Sequence, residues 1–84
     1  MSIEYNQSLL ASISSQNPDV NAAIQYVNEY TELCKAGQIS REEYVQLVED
    51  IQRTVNIRGQ MAELDAMQKL NTAINGLINI AKLV

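Results

Sequence analysis

At 84 residues, with a net charge of −4 and no histidine, tryptophan or phenylalanine, the chain has room for one domain around a small aliphatic core. Its six lysines and arginines are scattered among ten carboxylates, which argues against a phosphate-binding role and against nucleic acid as a partner. The missing imidazole removes the commonest general base and metal ligand, and with them any histidine-based triad or di-metal site.

Aromatic area comes only from Tyr5, Tyr26, Tyr30 and Tyr44, so Leu, Ile, Val, Met and Ala must fill the core. That composition suits helix-on-helix packing, and a core this small is often supplemented by self-association. The one cysteine, Cys34, has no internal disulfide partner. No basic stretch leads into an apolar run at the N-terminus, and no apolar run approaches the ~18–20 residues of a membrane span. The expected setting is a reducing compartment, cytoplasmic or virion-associated, away from the membrane.

In chain order, residues 3–14 read as a short amphipathic helix. Ile3, Leu10 and Ile13 form its apolar stripe, with Tyr5 and Leu9 beside it. Pro18 disfavours helical geometry at Asn17 and so closes the preceding segment. With Asn17 as N-cap, Pro18 falls at the first helical position and Asp19 in the first turn, both favourable. The second helix is predicted over 18–36. Val20, Ala23, Ile24, Val27, Tyr30 and Cys34 lie on one side of it, and Asn21, Gln25, Asn28, Glu29 and Glu32 on the other.

The stretch Thr31 to Ile51 carries the densest local signals. Gly37 stands where a left-handed C-cap residue belongs. Ser40 and Glu43 have the spacing of a capping box, and Ile39 and Tyr44 that of a hydrophobic staple. Lys35 in the last turn of one helix, with Glu42 and Glu43 in the first turn of the next, matches both dipole ends. A helical hairpin is predicted here.

A third helix follows over 41–57, with Tyr44, Leu47, Val48, Ile51 and Val55 inward and Glu49–Arg53 as an i,i+4 ion pair. The stripe then fails. A second one starts at Ile57, Met61 and Leu64, with Gly59 at the change of register. This predicts a kink or break at 56–59, the alternative being one uninterrupted helix. The last helix is predicted over 60–82, with Asp65–Lys69 as an ion pair. Leu70, Ile74, Leu77, Ala81 and Val84 follow 4-3-4-3 spacing, with Met67 and Ile78 alongside. No charge occurs from Leu70 to Ala81, and the polar positions are Asn71, Thr72, Asn75 and Asn79. A solvated helix usually carries Lys and Glu outward, so this one reads as more than half covered, either by its own chain or by another. The small size of the chain favours association, and the expected partner interface is Leu70, Ile74, Leu77, Ile78 and Ala81 within residues 61–84.

No constellation carries chemistry. Cys34 lies near a helix C-terminus rather than the helix N-terminus that would activate a thiol, and is read as a core residue. Glu42–Glu43 and Glu49–Asp50 are adjacent pairs, about 100° apart on a helix, and do not converge on one ion. Glu29 and Glu32 share a face without a third ligand. Gly76 is read as a close helix approach or a tolerated cost. Tyr26, Tyr30 and Tyr44 are expected to close the open end of the hairpin with their hydroxyls reaching water. No catalytic residue, cofactor or metal ligand is assigned.

The run Lys35-Ala-Gly-Gln-Ile-Ser-Arg-Glu-Glu-Tyr, continuing to Leu47 and Ile51, resembles the helical hairpin of SHOCT-type modules and similar hairpins in small assembly proteins of tailed bacteriophages. It covers about a quarter of the chain and rests on capping and core positions. The resemblance implies an oligomerisation or assembly role and no catalytic one. The expectation is therefore an all-α, small antiparallel helical bundle formed by residues 1–84. It would act as a non-enzymatic protein–protein interaction module, partnered by itself as a homo-oligomer or by another protein. A small stoichiometric regulator or inhibitor is the alternative.

Overall fold

The computed structural model describes residues 3–58 and 63–83, and within them the chain forms α1 (Ile3–Ala11), α2 (Pro18–Lys35), α3 (Arg41–Arg58) and α4 (Leu64–Leu83), with no strand. The helices pack antiparallel as a four-helix bundle. Its radius of gyration, 11.9 Å, equals the ~12 Å of a folded chain this long.

The predicted signals act where the sequence places them. The Asn17 side chain accepts from the Asp19 and Val20 backbone N–H groups (2.9 and 3.3 Å) and so starts α2. Gly37, at φ 75°, ends it. The Gln38 N–H bonds the Leu33 carbonyl (2.9 Å) and the Gly37 N–H that of Cys34 (3.1 Å), which together form a Schellman motif. Ser40 and Glu43 close the capping box reciprocally, at 3.1 and 3.3 Å.

Differences from the sequence reading have local causes. Helix α1 stops at Ala11, three residues early. The Ser12 hydroxyl bonds the Leu9 carbonyl (2.7 Å), and the chain tightens into an Ile13 to Leu10 bond (3.2 Å). Helix α3 runs to Arg58, and α4 returns antiparallel beside it rather than continuing it. Gln52 bonds Asn71 and Asn75 (3.1 and 3.0 Å), Asn71 bonds Asn56 (3.1 Å), and Lys82 lies 3.9 Å from Glu49. Such an antiparallel ladder rules out one uninterrupted helix. Gly59 and Met61 lie outside the described residues. Two residues of the second stripe are exposed, Ile57 at 68% and Leu64 at 74%, and Val55 is the last inward residue before α3 ends. Glu49 does not pair with Arg53, which instead holds Asp50 one turn back. Asp65–Lys69 does form, at 3.7 Å.

Helix α4 is the hub. It packs against α1 and α3 and reaches across the bundle to α2. Leu70, Ala73, Ile74, Leu77 and Ile78 meet Leu10 of α1, Val20, Ala23 and Val27 of α2, and Tyr44, Val48 and Val55 of α3. The charge-free run is thus covered by helices of its own chain, and the amide ladder with α3 occupies part of its polar side. Leu70, Ile74, Leu77 and Ile78, expected to face a partner, are core residues, and Ala81 packs at their edge. The spacing marked a covered face, and α1, α2 and α3 of the same chain cover it.

Candidate protein-binding groove

Among the described residues, two polar side chains are buried with the aliphatic core, Asn6 and Thr31. The Thr31 hydroxyl donates to the Val27 carbonyl (2.7 Å), so the Tyr44 hydroxyl donates to Thr31 Oγ1 (2.7 Å). Tyr44, only 3% exposed, therefore does not reach water, contrary to the expectation from its sequence position, and it ties α3 to α2. Burial raises the Tyr44 pKa and nearby Cys34 adds to this, while the bond to Thr31 opposes it. A raised folded-state pKa means that the folded chain holds this proton more tightly than the unfolded one. Stability is then full below the ordinary tyrosine range near 10 and falls as pH rises through it. Denaturant midpoints between neutral pH and pH about 11 should decline. In Tyr44→Phe, itself about 1 kcal/mol less stable, the part of the decline due to Tyr44 should vanish. An unchanged decline would place its source elsewhere.

Cys34 is half-buried against the core, a free thiol. Gln7 donates to Glu32 (3.0 Å) and Lys35 lies 3.4 Å from the same oxygen, so both lower the Glu32 pKa. Among the described residues, no three of Cys, Asp and Glu gather as a metal site would need, and no helix is long and apolar enough to cross a membrane.

An accessible hollow lies on the outer seam of the α2–α3 hairpin. Asp19, Ala22, Ala23, Tyr26 and Tyr30 of α2 face Asp50, Ile51, Thr54, Val55 and Arg58 of α3 across a hollow of about 350 Å³. Its floor is low because the residues level with one another are small: Ala22 and Ala23 on one helix, Thr54 and Val55 on the other. Tyr26, 52% exposed, stands at its lip, and Tyr30 lies one turn further along. Hairpin geometry puts the α2 N-terminus beside the α3 C-terminus, so Asp19 and Arg58 share one end of the groove. None of these residues belongs to the expected interface on α4. Sequence periodicity hides the groove because half of its lining, Asp19, Ala22, Asp50, Thr54 and Arg58, reads as an ordinary solvated face.

Fold and surface together define an all-α four-helix bundle with an aromatic-lipped groove on its central hairpin. The chain matches no protein-family model, and neither the curated proteins nor the solved structures contain one significantly similar to it.

Proposed function

We propose that this chain is a non-enzymatic helical interaction module that assembles with protein through the α2–α3 groove. The observation that carries this reading is Tyr26, half exposed beside a hollow floored by Ala22, Ala23 and Val55. A rigid aromatic next to an unfilled apolar depression is the composition of an interface anchor and its pocket. The resemblance of residues 31–51 to hairpins of assembly proteins supports the same class of role, as does the modest core of a chain this size.

The test is a concentration series of backbone amide NMR spectra on the labelled chain, repeated with Tyr26→Ala. Shifts should concentrate on Ala22, Tyr26, Ile51 and Thr54, and removal of an anchor worth ~2 kcal/mol should weaken association about thirtyfold. Shifts confined to α4, or indifference to Tyr26→Ala, would defeat the proposal.

A further inference from the structure

We propose that the α2–α3 groove takes a second copy of this chain, in an isologous dimer whose twofold axis crosses the two helices at the level of Ala22–Ala23 and Thr54. This deepens the proposed function and rests on its reading of the groove as the contact surface.

Asp50, Thr54 and Arg58 follow one another at four-residue steps and share a face of α3. At 1.5 Å per residue, the carboxylate and the guanidinium are rooted ~6 Å on either side of Thr54, with opposite signs. Such a face is self-complementary when two α3 helices cross antiparallel at Thr54. Arg58 of each copy then meets Asp50 of the other, and symmetry makes the contact twice. On α2, Asp19 and Tyr26 are placed evenly about Ala22–Ala23, ~5 Å to each side. The same axis brings the Tyr26 hydroxyl of one copy to the Asp19 carboxylate of the other, where it donates a hydrogen bond.

The two centres coincide in the fold. Ala22 and Ala23 line the same hollow as Thr54 and Val55, so one axis satisfies both helices. The residues at the crossing are small, which permits close approach. The Asp19 end of each hollow is open to the Tyr26 ring of the other copy, so one surface carries both knob and hole. Two copies with a net charge of −4 each repel at long range, and a face with alternating signs is where contact is least opposed.

The experiment is analytical ultracentrifugation of the full chain and of Arg58→Asp, Asp50→Arg and the double swap. Asp50 and Arg53 are exposed on both sides of their ion pair, so circular dichroism and melting temperature should stay near wild type. Each single swap should weaken the dimer about tenfold, since two contacts turn repulsive, and the double swap should recover most of that loss. A strictly monomeric wild type, or a dimer that ignores both single swaps, or a double swap no better than the singles, overturns the twofold register. If the dimer persists and its concentration-dependent shifts still fall on Ala22, Tyr26, Ile51 and Thr54 and vanish in Tyr26→Ala, the groove stands as the contact surface in another register. If Tyr26→Ala is also silent, the functional reading falls with the dimer.

Discussion

Ile74→Asp should abolish the folded state of the single chain rather than separate an oligomer. Ile74 is 0% and Leu77 1% exposed with one chain alone, on the helix that contacts all three others. Truncating such a residue costs ~2–5 kcal/mol through lost burial and the cavity left behind. A carboxylate adds the cost of a buried charge, and α4 offers no cation beside it, since no Lys or Arg lies between Leu70 and Ala81. Domains are stable by only ~5–15 kcal/mol, and a chain of this size sits towards the lower end. Far-UV circular dichroism should show lost helix, and Leu77→Asp should behave alike. Asn79→Asp, on the exposed side of α4, should leave the spectrum and melting temperature near wild type. A helical, monomeric Ile74→Asp would mean that α4 does not lie in the core of its own chain.

The contrast between these positions shows what the sequence does and does not specify. Local chemistry is strongly written. Asn17, Gly37, Ser40 and Glu43 act within four residues of themselves, so their effects need no knowledge of the rest of the fold. Burial is written less directly. The uncharged run of α4 announces a covered face, yet a neighbour in the same chain and a neighbour in another leave the same spacing. The stripe that fails after Val55 marks the end of α3 rather than a new face, because α3 stops at Arg58 and α4 runs antiparallel to it. Asn6 and Thr31 sit in register with the apolar stripes, Asn6 between Ile3 and Leu10, Thr31 four residues beyond Val27. Their polarity hid burial that their spacing indicated. The groove needed the tertiary pairing of α2 with α3, since alanine and threonine become a hollow only when they are level with one another.

Asn6 also explains the one glycine inside α4. Gly76→Ala should destabilise the chain by about 2 kcal/mol, against the gain of about 1 kcal/mol that the same change brings in an unobstructed helix. A Cβ built on Gly76 would lie 2.3 Å from Asn6 Oδ1 and 2.8 Å from its Cγ, and the Asn6 residue is only 1% exposed, so the amide has no solvent to swing into. The loss should appear as a melting temperature lower by roughly 10 °C, at ~4–8 °C per kcal/mol for a chain this small. Asn6→Ala removes the obstructing atoms but also empties a filled, polar-bonded site, and should be destabilising alone. Combined with Gly76→Ala, it should cost less than the sum of the two single changes by about 1–2 kcal/mol, because the new methyl enters the space that the amide vacates. The sign of the glycine substitution and the coupling test the same contact in different ways. A stabilised Gly76→Ala would show that α1 yields at no cost. Strict additivity would show that the amide does not obstruct residue 76, and that the glycine serves some other approach of α1 to α4.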